Sequence, residues 1–169
     1  MSETISFDPR ELLRRLAEAG VEFVVIGGLA AQAHGSPTIT ADVDIVPSWG
    51  SKNLTRVESV LREIAAIRHE GPQGGPALPP LDIRTLLAGA VFTLNSRFGR
   101  LDLLANPDPG LDYAELRKAA LPATYLGLPL LFASLDDLIS MKRAAGRPKD
   151  LVELEILGAL REEIDRRPE

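Results

Sequence analysis

Apolar residues recur along this chain at two periods, and the change from one period to the other predicts the order of helices and strands. Near the N-terminus four apolar residues fall at helical spacing: Leu12, Leu13, Leu16 and Ala17. Asp8-Pro9 predicts the start of this helix, because aspartate caps helix N-termini and proline fits the first helical position. Gly20 predicts its end, and the β-branched run over 21–26 predicts a buried strand that stops at Gly27-Gly28.

The same reasoning predicts the elements that follow the glycine pair. The first four are a short helix-favouring segment over 29–34, a strand over 42–46, a helix over 51–66 and a loop over 70–80. A hairpin with strands 91–95 and 100–104 and a helix over 111–120 come next. The last part has β-like fragments over 123–133 that indicate an edge strand, a helix over 134–145 and an amphipathic helix from Pro148. Gly99 suits the hairpin turn, and Ser134 with Asp137 resembles a capping box.

This order of elements predicts the fold class. The predicted order is helix, strand, helix, strand, helix, loop, antiparallel hairpin and closing helices. This order is typical of an α+β or mixed α/β fold rather than of a doubly wound sheet. A chain of 169 residues has the length of one domain, so we expect a single domain over 1–169. We expect its C-terminal portion, from about residue 134, to be helical.

Composition narrows the classes of function. With 45% hydrophobic and 25% charged residues the chain is ordinary for a globular protein, and a net charge of −5 disfavours a surface devoted to nucleic acid while leaving room for a local basic site. The absence of cysteine excludes thiolate chemistry and a disulfide framework. No apolar stretch has the length of a membrane helix and no signal-peptide pattern is present, so we expect a cytoplasmic protein without membrane contact.

Two aspartates stand inside the second apolar run, in the sequence Asp42-Val-Asp44-Ile-Val. Side chains alternate between the two faces of a strand, so both carboxylates point one way while Val43 and Ile45 point into the core. Carboxylates held this close repel one another unless a positive charge neutralises them. A divalent cation such as Mg²⁺ or Mn²⁺ meets that requirement, because it binds carboxylates and completes its shell with water and phosphate oxygens.

The glycine pair and a third aspartate extend this pattern to a phosphate-binding site. Without Cβ atoms, Gly27 and Gly28 let main-chain amides approach a triphosphate, and the helix that follows would aim its N-terminus at the anion. Asp102 stands between two leucines in the second hairpin strand and is the candidate for a third carboxylate. Such a site would hold two cations about 3.5–4 Å apart, the arrangement that clamps the attacking and leaving oxygens in phosphoryl transfer.

The spacing of these residues resembles the nucleotidyltransferase superfamily of the DNA polymerase β type. The shared residues are a glycine pair after an apolar strand, two aspartates flanking an apolar residue, and a later aspartate between apolar residues: Gly27, Gly28, Asp42, Asp44 and Asp102. Residues 134–151, SLDDLISMKRAAGRPKDL, are similar to the end of the small bacterial AbiEii-type toxins of toxin–antitoxin systems. Together with Asp102, the resemblance covers the first quarter and the last fifth of the chain.

The resemblance implies a role for each residue of the pattern. Asp42 and Asp44 would ligate Mg²⁺, and Asp102 would complete the metal site or act as a base on the acceptor hydroxyl. Lys142 would contact the triphosphate, and Asp150 would orient Lys142 or the nucleotide. The family fold is a small mixed sheet, with the metal-binding strands at its centre and helices around it, which agrees with the predicted order of elements.

The implied activity is metal-dependent transfer of a nucleoside monophosphate from an NTP, such as ATP, to an acceptor hydroxyl. The acceptor is left open between a tRNA 3′ end, a protein hydroxyl and a small molecule such as an antibiotic, and a toxin role would bring a cognate antitoxin as partner. Many relatives carry serine in place of Gly28, and an arginine where this chain has residues 37–40, PTIT. These departures leave two alternatives, an inactive member that binds nucleotide or a partner, and a regulatory cation site without nucleotide.

Overall fold

Helices and strands alternate through most of the chain. The computed structural model describes residues 6–69 and 79–168. In chain order the elements are α1 (Pro9–Glu18), β1 (Phe23–Ile26), α2 (Gly27–Ala33), β2 (Asp42–Pro47), α3 (Ser51–Glu63), β3 (Ile67–Arg68), α4 (Ile83–Ala88), β4 (Val91–Ser96), β5 (Gly99–Leu104), α5 (Tyr113–Ala119), β6 (Leu121–Tyr125), β7 (Leu128–Phe132), α6 (Leu135–Ala145) and α7 (Pro148–Arg166).

The strands of the described residues form one sheet with both antiparallel and parallel neighbours. Its seven strands lie in the order β3-β4-β5-β2-β1-β7-β6. β1 pairs antiparallel with β2 and parallel with β7, and β2 pairs parallel with β5. The mixed α/β class predicted from the sequence is confirmed, and the two strands that carry the predicted carboxylates are neighbours at the middle of the sheet.

Alternation along β2 and β5 separates the core from the predicted site. Val43 and Ile45 of β2 and Leu101 and Leu103 of β5 have no exposed surface. Helices contribute to the same core through buried leucines that include Leu12, Leu13, Leu16, Leu54 and Leu61. Because successive side chains of a strand point to opposite faces, the aspartates between these core residues lie on the other face of the sheet.

The predicted end of the first strand at Gly27-Gly28 is confirmed, because β1 ends at Ile26 and Gly27 turns the chain with a φ of 65°. The helix that follows begins earlier than predicted, since Gly27 and Gly28 form the first turn of α2. α3 is shorter than predicted, ending at Glu63 just before Ala65, whose φ is 53°.

The region predicted to hold one edge strand forms a hairpin. β6 lies at the edge of the sheet, while β7 lies between β6 and β1. β3 and α4 are not predicted by the hydrophobic pattern, because they are only two and six residues long. Of the predicted loop over 70–80, residues 70–78 lie outside the described residues. Within the described part, every helix is too short or too polar to cross a bilayer.

The predicted limits of α6 are confirmed at both ends. Ser134 accepts a hydrogen bond from the main-chain N–H of Asp137 at 3.1 Å, which caps the helix. Gly146 ends the helix with a φ of 61°, in the left-handed region that glycine adopts readily. α7 then begins at Pro148, so α6 and α7 are joined by a very short connection and pack against one another.

Candidate active site

Asp42, Asp44 and Asp102 lie together on one face of two neighbouring strands. In the parallel register of β2 and β5, Asp44 lies beside Asp102, and Asp42 lies beside Arg100. One carboxylate oxygen from each of the three aspartates lies within 4.8 Å of the other two. The structure therefore brings the distant Asp102 to the pair that the sequence places on one strand, and we refer to these three residues as the carboxylate cluster.

The surroundings of Asp44 disfavour its negative charge. Burial, followed by the charges of Asp42 and Asp102, raises the pKa of Asp44 from its usual 3.8 to about 8. The charge of Lys142 opposes this rise without cancelling it. The charged form of Asp44 therefore needs a further positive charge nearby to be stable at neutral pH.

The glycine pair packs directly against residues of the cluster. A Cβ on Gly27 would lie 2.3 Å from Oδ2 of Asp44, and a Cβ on Gly28 would lie 2.6 Å from the Cβ of Thr40. Oγ1 of Thr40 in turn lies 3.1 Å from Oδ1 of Asp42, to which it donates a hydrogen bond. Gly27 thus leaves room for Asp44 of the cluster, and Gly28 leaves room for Thr40, which binds Asp42. This packing reason for the glycine pair is not visible in the sequence. The predicted contact of the glycine amides with phosphate stays a prediction.

Arg100 reaches the carboxylate cluster from β5. Its Nε lies 3.4 Å from Oδ1 of Asp102 and 3.9 Å from Oδ2 of Asp42. The sequence analysis does not identify this residue, although a position two residues before Asp102 on one strand places Arg100 on the same face. It brings a positive charge to the carboxylate cluster.

Two carboxylates of α7 hold the ammonium group of Lys142. Its Nζ lies 3.3 Å from Oδ1 of Asp150 and also forms an ion pair with Glu153. Asp150 is fully buried, and its Oδ2 accepts hydrogen bonds from Arg147, at 3.1 Å from the main-chain N–H and 2.9 Å from Nε.

The balance of forces on Asp150 favours its charged form. Burial alone would raise the pKa of Asp150, but the hydrogen bonds from Arg147 and Lys142 outweigh it and lower that pKa. The structure places Asp150 in contact with Lys142, one of the two partners that the resemblance leaves open for it, and the role of Asp150 stays a prediction. Glu153 is an addition to the sequence analysis, and the signal for it is its position three residues after Asp150, on the same side of a helix.

A pocket lies between α2 and the C-terminal helices. Its wall consists of Gly27, Gly28, Ala31, Ser36, Thr38, Leu138, Lys142, Glu153 and Leu157. The glycine backbone, the two hydroxyl groups and the ammonium group are donors suited to phosphate oxygens. The structure therefore places the glycine pair and Lys142, both predicted to contact nucleotide, on the walls of one pocket.

Solved structures of antibiotic-modifying enzymes have a similar architecture. A crystal structure of the lincosamide antibiotic adenylyltransferase LnuA, bound to lincomycin, matches with a TM-score of 0.60 and 14% identity, over 92% of this chain and 99% of that chain. A crystal structure of ANT(2'')-Ia in complex with adenylyl-2''-tobramycin matches with a TM-score of 0.53 and 18% identity, over 90% of this chain and 94% of that chain. This chain has the nucleotidyltransferase fold.

Sequence comparison adds no family assignment to this nucleotidyltransferase fold. No protein-family model matches the chain, and no curated protein matches it significantly. At identities of 14% and 18% the two structural matches establish the fold alone.

The donor set of the carboxylate cluster fits a hard divalent cation. It consists of carboxylate oxygens, the ligands that Mg²⁺ and Mn²⁺ prefer, and the three residues can each supply one. A cation would also neutralise the charge that burial and the two neighbouring carboxylates make unfavourable on Asp44. Asp42, Asp44 and Asp102 are therefore the residues of this fold that would hold the metal.

Proposed function

We propose that this protein is a metal-dependent nucleotidyltransferase, which moves a nucleoside monophosphate from an NTP to an acceptor hydroxyl. The observation that carries the proposal is the carboxylate cluster, with oxygens of Asp42, Asp44 and Asp102 within 4.8 Å of one another. Support comes from the pocket beside it, which joins a glycine turn to Lys142. The nucleotidyltransferase fold shared with two solved antibiotic-modifying enzymes adds to this support.

The proposed reaction is an in-line displacement at the α-phosphorus of the NTP. The acceptor oxygen bonds to that phosphorus, the bond to the oxygen bridging the α- and β-phosphates breaks, and pyrophosphate leaves. Asp102 would accept the proton of the acceptor hydroxyl, acting as a general base. When bound, the divalent cation stabilises the charge that develops on the phosphate oxygens.

The residues around the pocket would bind and orient the triphosphate. Lys142 supplies a positive charge for its outer phosphates, while Asp150 and Glu153 hold the ammonium group in place. Positioning and electrostatic stabilisation dominate phosphoryl transfer, so a lysine fixed by two carboxylates is suited to this task.

Three classes of acceptor are proposed for this site. A small molecule such as an antibiotic is favoured by the fold, since LnuA was crystallised with lincomycin and this chain covers 99% of its length. A tRNA 3′ end or a protein hydroxyl is favoured by the resemblance of residues 134–151 to AbiEii-type toxins, which would also imply a cognate antitoxin.

Transfer of label from NTPs tests the proposal. Purified protein is incubated with Mg²⁺ and each α-labelled NTP, in parallel with total tRNA, with protein alone and with a panel of lincosamides and aminoglycosides. Label should appear on one acceptor class with the wild type and be absent with the double variant Asp42→Asn/Asp44→Asn. The variant Asp165→Asn, at an exposed ion pair of α7, should label as the wild type does.

The pattern of labelling distinguishes the alternatives. Label on RNA, protein or antibiotic identifies the acceptor class. Label that survives in the double variant contradicts the assigned metal site. If neither label transfer nor metal-dependent nucleotide binding is found, the enzymatic proposal is wrong and the inactive alternative takes its place.

A further inference from the structure

We infer that Arg100 is an internal counter-ion of the carboxylate cluster, which competes with the divalent cation in the free protein and passes to the triphosphate when nucleotide binds. The inference rests on the proposed function and extends it. It assigns to one residue, outside the predicted site, a coupling between cation binding and nucleotide binding.

The geometry puts Arg100 where a cation would have to bind. Its Nε faces Oδ1 of Asp102 at 3.4 Å and Oδ2 of Asp42 at 3.9 Å, and both carboxylates belong to the proposed ligand set. A guanidinium ion and a divalent cation compete for these two carboxylates, because two positive charges a few ångströms apart repel at a partly buried site. Cation binding therefore favours release of Arg100 from at least one of its partners.

The surroundings of Arg100 allow it to leave. Its side chain is 43% exposed, whereas the side chain of Asp102 is only 15% exposed. Among the described residues, the polar side-chain contacts of Arg100 are confined to Asp42 and Asp102. Rotation of the arginine toward solvent would break no other hydrogen bond, while the carboxylates would stay in place on their strands.

A triphosphate offers the displaced arginine a new partner. The planar guanidinium group matches phosphate oxygens in two-pronged hydrogen bonds, and the nucleotide would bind beside the same carboxylates. In the free protein Arg100 then weakens cation binding, and in the loaded protein it strengthens nucleotide binding. Such an exchange couples cation binding to nucleotide binding through one side chain. Each ligand then changes the affinity of the protein for the other by the same factor.

Two binding measurements test the inference. Mn²⁺ binding to nucleotide-free protein is measured from the electron paramagnetic resonance signal of free Mn²⁺, and binding of α,β-methylene-ATP at saturating Mn²⁺ is measured by calorimetry. We expect Arg100→Gln to bind Mn²⁺ roughly three- to tenfold more tightly and the analogue roughly three- to tenfold more weakly. These opposite changes separate an exchange of partners from structural damage, which would weaken both ligands.

A matched variant and a metal-site variant complete the design. Arg97→Gln removes an equal charge from the exposed turn of the same hairpin, and we expect it to change neither affinity. If wild type binds Mn²⁺ and Arg100→Gln binds it no more tightly, the inference is wrong while the proposed function stands. An unchanged affinity for the analogue would refute the coupling. If Asp42→Asn/Asp44→Asn binds Mn²⁺ as well as wild type, the metal site of the proposed function is wrong and the inference falls with it.

Discussion

In protein free of divalent cations, replacing Asp44 with asparagine is expected to raise the free energy of unfolding at pH 8. Burial, together with the charges of Asp42 and Asp102, raises the pKa of Asp44 from its usual 3.8 to about 8. The folded protein therefore holds this proton more tightly than the unfolded chain does. The resulting stabilisation is fully present below pH 3.8 and is lost as the pH rises from there to about 8. Asparagine stays neutral, so Asp44→Asn avoids the loss.

The size of this effect follows from the span between the two pKa values. Raising the pKa from 3.8 to about 8, at about 1.36 kcal/mol for each pH unit, sets a ceiling of roughly 6 kcal/mol. Water entering the site and a closer approach of Arg100 reduce the free-energy cost of the charge on Asp44. Partly buried sites therefore behave as if they had a high effective dielectric constant. We therefore expect a net gain of about 1–3 kcal/mol for Asp44→Asn at pH 8.

Urea unfolding in EDTA, followed by the fluorescence of Trp49, measures this gain. Trp49 is the only tryptophan of the chain and stacks on Phe92, with ring centroids 6.4 Å apart, so its emission should change when the core opens. The advantage of Asp44→Asn should grow between pH 5 and pH 8. Asp165→Asn, at an exposed ion pair, should stay within about 0.5 kcal/mol of wild type throughout. An advantage that is absent, or that does not change with pH, would refute the reasoning.

Three further predictions concern the metal, the glycine turn and the cap of α7. Adding Mg²⁺ should raise the melting temperature of wild type more at pH 8 than at pH 6 and should barely move Asp44→Asn, which scanning fluorimetry can show. Gly27→Ala should lower the free energy of unfolding by more than about 1 kcal/mol in urea titrations, because of its φ of 65° and the contact with Asp44. Gly158→Ala, in a helix with free space around it, should raise it by about 0.5–1 kcal/mol. Asp150→Ala should lower the free energy of unfolding by about 2–3 kcal/mol, because it removes a buried carboxylate that caps α7 and pairs with Lys142 and Arg147. Asp150→Asn should lower this free energy by less.

Each of these predictions has an outcome that contradicts it. An equal effect of Mg²⁺ at both pH values would mean that the cation does not relieve the charge on Asp44. Equal stability of Gly27→Ala and wild type would show that α2 and Asp44 can shift apart without loss. If Asp150→Ala loses less than about 0.5 kcal/mol, its ion pairs behave like ordinary surface pairs and do not hold the two C-terminal helices together.

Local signals predicted the elements whose ends depend on one or two residues. The cap at Ser134, the glycine stop at Gly146 and the hairpin turn at Gly99 all lie where the sequence indicates, because each acts on the backbone within a few residues. The sequence pattern predicts an edge strand in place of the hairpin over 121–132, because the hairpin turn uses Leu126 with a φ of 46°, a conformation that is uncommon for leucine. The pattern does not predict α4, which is only six residues long.

The sequence by itself determined that Asp42 and Asp44 share one face of a strand with their apolar neighbours turned to the core. That result needs only the alternation of side chains along β2. Only the tertiary structure decided that Asp102 lies beside Asp44 and that Arg100 joins them, since both depend on the parallel pairing of β2 with β5 across more than fifty residues of chain. The raised pKa of Asp44 also depends on the tertiary structure, because residues far apart in sequence bury its side chain and place other charges near it.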